Sequence, residues 1–420
     1  MNIGFENAEI LLPNFQKVDG TRWAVVACDQ YTSEPAYWER AAAMVGDAPS
    51  TLSMILPEVY LGQTEERVPR INQCMREHLK DLLVSHPGAM IALERTQSDG
   101  NIRRGLIGAV DLEQYDYRKG SDSLIRATEG TVLERIPPRV AVRRDAPLEL
   151  PHIMLLIDDP HHTVIEPILM NCQGEEPLYD FDLMLGGGHV RSYLLNPRQQ
   201  ANAKEALASL ITPSAQQERY GDPSLAPLLF AVGDGNHSLA SAKAAYEEVK
   251  AALGEEAAKD HPARYALAEV VNLHDAALQF EPIYRVVFHC DPADLLANLH
   301  ASFSALQGNA AAQTLHYITT AEEGDVTIPH PVQQLTVGTL QRFLDDYVAA
   351  HPGVEVDYIH GEDSLRSLIS NDTTVGFLFG GMRKDELFPT VIYDGALPRK
   401  TFSMGHAPDK RYYLECRKIK

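Results

Sequence analysis

Positive charge is scarce in this chain: 37 Lys and Arg stand against 58 Asp and Glu, a formal net charge of -21. Loose binding to DNA or to an anionic membrane needs positive charge to displace counterions, so both are disfavoured, while a small basic pocket for a phosphorylated ligand remains compatible. Cysteine is scarce as well. The five (Cys28, Cys74, Cys172, Cys290 and Cys416) are scattered without a Cys-x-x-Cys pair, which gives neither zinc-like spacing nor a disulfide framework and reads as reduced thiols. No apolar run reaches the roughly 20 residues that cross a bilayer. The opening MNIGFENAEILLPNF lacks a basic region followed by an apolar stretch and a small-residue cleavage site, so no signal peptide is expected. Repeats of fixed period and low-complexity tracts are also missing. Together these absences predict a cytoplasmic protein.

The 420 residues are 45% hydrophobic and 23% charged, an ordinary globular balance with length enough for two or three domains and a large core. Short apolar runs bounded by polar breaks read as strands at 23–27, 89–95, 105–112, 153–157, 228–232, 266–273 and 284–289. Between the second and third of these, Ser98-Asp99-Gly100-Asn101 is a hairpin turn signal. Ser33 ahead of Pro35 predicts a capped helix over 36–44. Apolar spacing and composition predict further helices over 66–84, 197–211 and 238–253. After Cys290-Asp291-Pro292 the pattern shifts, with helices expected over 293–305, 335–349 and 362–370 and a strand at 375–379. Strands, hairpins and helices mix without a strict βαβ rhythm, so the expected class is α+β or mixed α/β. A main mixed-sheet region is expected over 1–289, and a smaller α/β lobe over 290–420, whose tail YYLECRKIK packs back as a strand.

The turn Gly233-Asp234-Gly235-Asn236-His237-Ser238 concentrates polar groups between a buried strand and a helix. Glycines permit backbone dihedrals closed to other residues and let a ligand approach closely. A helix start points free N–H groups and the positive end of its dipole at the turn, which suits a phosphate or carboxylate. Ligands of α/β sheets bind at such strand ends, although an empty strand-to-helix turn capped by Ser238 has the same pattern. The lysine of a Walker loop is absent.

Other segments carry weaker signals. In 120–142, Arg126, Glu129, Glu134, Arg135 and Arg139 surround two threonines and a Pro-Pro pair, as in a solvated helix with ion pairs. Gly187-Gly188-His189 with Arg191 is a second possible anion loop, and His274-Asp275 ends a strand as either a plain turn or a site corner. Asp159-Pro160-His161 matches the Asp-x-His element of metallophosphoesterases by count, with Asn236-His237 standing for their Asn-His. Ser238 replaces the acid of that second element and no separate Gly-Asp element precedes it, so a metal-dependent phosphoesterase is the lesser reading and a polar loop the plainer one.

Asp234-Gly235-Asn236-His237 and the following helix resemble the Asp-Gly-[His/Asn]-His-Arg element of the uncharacterised bacterial family known as domain of unknown function 1015. The resemblance extends to Arg126-Ala127-Thr128-Glu129-Gly130-Thr131, to His274-Asp275 with Glu281-Pro282-Ile283-Tyr284-Arg285, and to Leu397-Pro398-Arg399-Lys400-Thr401-Phe402. Ser238 stands where the usual element has Arg, and Thr128 where many members have His. The same turn is similar to the nucleotide-contacting turn of the ParB/sulfiredoxin-like fold, which includes free-serine kinases. That resemblance implies a protein that binds ATP or ADP with Mg²⁺ and transfers phosphate to a small hydroxyl compound such as serine. Phosphoryl transfer needs a phosphate cradle, a cation and a group to orient the hydroxyl. The implied cradle is Gly233, Asp234, Gly235, Asn236 and Ser238 with His237. Glu129 would be the base, Arg126, Arg135, Arg285 and His189 would contact phosphate, and Asp234 or Asp275 would place Mg²⁺. The alternative is a non-catalytic ligand-binding or regulatory protein with a ParB-like pocket. A homo-oligomer is compatible with either reading.

Overall fold

The computed structural model describes residues 2–26, 31, 34–130, 136–150, 153–410 and 412–420. The chain divides into two compact units, the first made of 1–278 and 406–420, the second of 279–405. The class is mixed α/β, as the irregular alternation of helix and strand signals predicts.

The first unit is built on a ten-stranded sheet. Its strands are β1 (Phe5–Glu6), β2 (Ile91–Thr96), β3 (Ile102–Asp111), β4 (Tyr115–Asp116), β5 (Ile125–Ala127), β6 (Met154–Ile157), β7 (Tyr179–Asp182), β8 (His189–Leu194), β9 (Phe230–Asp234) and β10 (Tyr265–Asn272). They lie in the order β7-β8-β2-β3-β10-β6-β9-β5-β4, with β1 against β3. The stretch from β7 to β10 is antiparallel throughout. Beyond it the directions change: β6 runs parallel to β10 and antiparallel to β9, while β9, β5 and β4 run parallel to one another. The Ser98–Asn101 turn joins β2 to β3, with Gly100 at φ 87° and Gln97 N–H donating to the Asn101 carbonyl at 2.8 Å.

Alternation along the strands sorts side chains to two faces. On one face Ala92, Leu106, Ala266, Ala268 and Val270 meet the helices α2 (Ile165–Asn171), α3 (Pro197–Ser209) and α5 (Asn236–Leu253) through Ile168, Leu207, Leu239 and Tyr246. Between α3 and α5 comes α4 (Pro213–Tyr220), and ahead of α2 comes α1 (Ile136–Arg144), which packs on α5 through Val140 and Ala240. On the other face Ile91, Leu93, Ile107, Ala109 and Leu267 meet the N-terminal segment and the tail, through Ile10, Trp23, Tyr412, Leu414 and Cys416. Two buried arginines of the sheet hold that tail. Arg103 pairs with Glu269 at 3.1 Å and donates to the Asp409 and Lys410 carbonyls at 2.9 Å. Arg95 donates to the carbonyls of Gly187, Pro408 and Lys410. Tyr412–Tyr413 then pairs with Val25–Val26, and Arg417–Lys418 with Leu148–Glu149.

The second unit has a six-stranded antiparallel sheet. Its strands are β11 (Phe280–Phe288), β12 (Gln313–Ile318), β13 (Glu323–Ile328), β14 (Glu355–His360), β15 (Thr374–Phe379) and β16 (Phe402–Met404), in the order β13-β12-β15-β11-β14 with β16 on β11. Its helices include Pro292–Ser304, whose N-cap Asp291 accepts from Ala293 and Asp294 N–H, and Thr336–Ala350. The expected boundary placed the strand at 284–289 with the first region. Every ladder partner of β11 lies in the second unit, so the division falls ahead of that strand, and residues 406–420 return to the first unit.

Candidate functional site

The turn at 233–238 is formed where β9 runs into α5. Gly235 takes φ 83° and is the N-cap of α5, without a side-chain cap bond to the helix N–H groups. Ser238 is therefore inside the first turn and is not the N-cap. Asp234 Oδ1 accepts from the Gly235 N–H at 2.8 Å, folding the acid back over the turn. Gly233 has a different reason to be glycine: a Cβ there would sit 2.8 Å from the Leu156 side chain. Asn236 opens the helix with its Oδ1 buried and unpartnered, an acceptor that a cation or a ligand hydroxyl can satisfy.

The parallel pairing of β5 with β9 brings Glu129 to this turn. Ala127 is level with Val232, and Thr128 Oγ1 donates to the Val232 carbonyl at 2.6 Å. Glu129 follows two residues after the last paired position of β5, at the end of the sheet where β9 enters the turn. It is partly exposed. Thus Glu129, Asp234, Gly235, Asn236, His237 and Ser238 gather at one end of the strands.

Within the first unit, Arg126, His189 and Asp275 do not join them. Arg126 points toward the start of β5, where it donates to the Ser123 carbonyl at 2.8 Å and the Ala226 carbonyl at 2.9 Å. Burial there pushes its guanidinium below its ordinary pKa. Arg285 belongs to the second unit and is fully buried. It donates to Gln341 at 2.7 Å and to the Ile283 and Arg399 carbonyls at 2.5 and 2.9 Å, a packing role within that sheet. Burial lowers it to about 10. His189 lies on β8, five strands from β9 in the sheet order, about 24 Å away. There it sits between Asp180 at 2.6 Å and Asp182 at 2.8 Å. Arg135 lies outside the described residues.

Asp275 is displaced too, and strand direction is the reason. Asp234 is level with Met154 at the start of β6, whereas Asn272 is level with Ile157 at its end. Because β9 is antiparallel to β6, the 233–238 turn and the His274-Asp275 corner occupy opposite ends of the strands. Their levels differ by about 10 Å along the strand axis, and two strands separate them sideways. One Mg²⁺ is therefore not shared between Asp234 and Asp275. The Asp275 carboxylate is moreover buried and accepts from Ala277 N–H at 2.8 Å and Arg104 N–H at 3.1 Å. Among the described residues no three His, Cys, Asp or Glu side chains form a metal-holding group, and Asp159 caps the turn before α2 by accepting from Thr163 and Val164 N–H. The Asp-x-His element is a polar loop.

That opposite end carries an array that sequence reasoning passed over. His274 Nε2 lies 2.7 Å from Asp158 Oδ1. Tyr220 donates to Asp158 Oδ2 at 2.7 Å, and Arg219 approaches the same oxygen at 3.3 Å. Burial alone would raise the Asp158 carboxyl, but the bonds from His274 and Tyr220 and the Arg219 charge outweigh it and hold the group below the ordinary range. Asp158 and His274 each follow a buried strand end, which is a signal. Arg219 and Tyr220, at the end of a short polar helix, carry none.

Cysteine offers little chemistry here. Cys74 lies 3.5 Å from His78, but burial raises the thiol and lowers the imidazole, so the pair stays neutral.

The model of a family described as a protein of unknown function (DUF1015) matches residues 12–347. The chain belongs to this family. No curated protein matches it in sequence. Among solved structures, a free serine kinase in complex with AMP is similar at 11% identity and TM-score 0.35, covering 74% of this chain and 90% of that one. A conserved hypothetical protein from Pyrococcus furiosus has the same identity and score, over 74% and 94%. SbnI from Staphylococcus aureus is similar at 11% identity and TM-score 0.32, over 73% and 82%. Likenesses this distant carry no argument about the chemistry of this DUF1015 member.

Proposed function

We propose that this DUF1015 protein binds a nucleotide or a phosphorylated small molecule at the start of α5 and transfers phosphate to a small hydroxyl compound such as serine. The observation that supports the reading is the parallel pairing of β5 with β9, since the segment that carries Glu129 leaves β5 at the sheet end where β9 runs into the glycine-capped start of α5. The N–H groups of a helix's first turn and the positive end of its dipole suit phosphate oxygens. Glu129 takes the proton of the hydroxyl as its oxygen attacks phosphorus, and the phosphoanhydride bond breaks to release the shortened nucleotide. Asp234 and the orphaned Asn236 Oδ1 are the residues that would hold Mg²⁺, which neutralises phosphate charge when bound. ATP or ADP with Mg²⁺ should raise the melting temperature by several degrees at about 100 times Kd, where linkage contributes about 2.7 kcal/mol. No shift with ATP, ADP or AMP, with or without Mg²⁺, would sink the reading.

One observation favours a second reading, a binding or regulatory protein that keeps a ParB-like pocket without turnover. Ser238 stands where the family element has Arg, and Arg126 and Arg285 are both engaged elsewhere. Nucleotide binding without phosphate transfer to serine or other small hydroxyl compounds would select it.

A further inference from the structure

Two buried glutamates meet where the C-terminal tail docks on the first unit, and they are provided for unequally. Glu149, on the strand that pairs with Arg417–Lys418, lies between Arg143 and Arg417, the latter at 2.6 Å. Burial alone would raise its carboxyl, but the two guanidinium charges outweigh it and hold the group below the ordinary range. Glu415, on the tail itself, has no such help. Its side chain is buried, and Oε1 accepts from the Tyr179 hydroxyl of β7. Among the described residues no cation pairs with it. A buried carboxyl in that position keeps its proton rather than hold a charge away from water.

The other groups around Glu415 do not offset a charge there. Tyr412 and Cys416, its neighbours on the tail, are buried, and burial raises both and keeps them neutral. Glu269 of β10 is negative and opposes a second negative charge. Arg103 of β3 is engaged by Glu269 and by the Asp409 and Lys410 carbonyls. Arg95 of β2 is engaged by the carbonyls of Gly187, Pro408 and Lys410. Burial thus pushes the Glu415 carboxyl up to about 7, while the Tyr179 hydroxyl and its own backbone N–H hold it back only in part.

The position of this acid in the chain gives its proton a mechanical consequence. On one side the Leu414 carbonyl accepts from Trp23 Nε1 at 2.9 Å. On the other, Cys416 N–H donates to the Leu11 carbonyl at 3.0 Å and its carbonyl accepts from Leu11 N–H at 2.8 Å. Trp23, Leu414 and Cys416 are all fully buried. An ionised Glu415 therefore reaches water only when these bonds part and the tail lifts.

We propose that Glu415 is a proton-operated latch, which keeps residues 412–419 docked on the sheet while protonated and opens them more often once ionised. The latch does not rest on nucleotide binding. In the docked tail the carboxyl holds its proton up to about pH 7, and in the released tail it titrates near 4.5. Docking therefore takes up a proton between these values, so its support is complete below the lower one and is lost as pH rises through the upper. Hydrogen exchange at the Cys416 N–H of the full chain, corrected for the intrinsic pH dependence of amide exchange, reads the opening. Its protection should fall by on the order of tenfold from pH 5 to pH 7. Glu415→Gln, uncharged at both, should abolish the fall. Tyr179→Phe removes the hydroxyl that favours the carboxylate and should move the fall to higher pH. A flat wild-type profile overturns the proposal, as does an undiminished fall in folded Glu415→Gln. If Glu415→Gln does not fold, an unmoved profile in Tyr179→Phe overturns it instead.

Discussion

The two ends of the β6-β9-β10 strands are built by contrasting means. At the start of α5 the turn is shaped by Gly233 and Gly235, and the N-cap is a glycine with no side chain of its own. At the far end the side chains are tied to one another: Asp158 alone has three polar partners, and Asn272 links the Glu166 and His274 turns. A main-chain cradle tolerates exchange of its side chains, since the N–H groups remain whatever the residue. A side-chain array does not, because removing one member leaves the others buried without partners. The first kind suits a generic group such as phosphate, the second a specific one.

Substitutions at each end should separate the two. The largest effect is expected for Glu129→Gln, which should lower phosphate transfer by about 10²- to 10⁴-fold, the usual worth of a general base. Nucleotide affinity, read by titration, should stay the same; loss of binding instead would make Glu129 part of the cradle.

Asp158→Ala comes next. It strands Tyr220 and the Arg219 charge in a buried setting and should cost about 3 kcal/mol in urea unfolding. The same carboxyl gives a pH signature. Being held below the ordinary range, it stays ionised in the folded protein where the unfolded chain takes up a proton. Its contribution is complete above the unfolded pKa of about 3.9 and is lost as pH falls through the folded value. Asp158→Asn should therefore flatten the stability curve below about pH 4. An unaltered acid limb would mean that other acids govern it.

The reach of sequence reasoning follows from what strands reveal. Met154–Ile157 is an apolar run cut off by two aspartates, and β9 is cut off by glycines, so both elements and the polar turns after them were legible. So was α5, whose Ala, Lys and Glu content favours a helix. Direction was not legible. An apolar run of four or five residues carries no mark of parallel or antiparallel pairing, yet the antiparallel step from β6 to β9 decides which turns are neighbours. That step separates His274-Asp275 from Asn236-His237. Arginine roles were hidden for a related reason: Arg126 and Arg285 look like anion binders until their carbonyl partners, distant in sequence, are known.

Smaller effects refine the contrast. Gly235→Ala forces a left-handed conformation at φ 83° on a residue with a Cβ, and should cost about 1 kcal/mol. It should also weaken nucleotide binding by tilting the helix start. His189→Ala should change stability by less than about 1 kcal/mol, as expected for an exposed ion pair, and leave nucleotide affinity untouched. A large loss of affinity there would reinstate the Gly187-Gly188-His189 loop as a phosphate contact.

The tail held by Arg95 and Arg103 also sets a schedule for the ribosome. Among the described residues the edges of Val25–Val26 and Leu148–Glu149 pair with Tyr412–Tyr413 and Arg417–Lys418, and the whole of 279–405 is translated first. At about 5–20 residues per second, the nascent first unit waits roughly ten seconds with those edges bare and Trp23 Nε1 without the Leu414 carbonyl it later meets. During that interval those edges are open to pairing with other chains, and a stall late in the message would release a polypeptide with most of its sequence and an unfinished sheet surface.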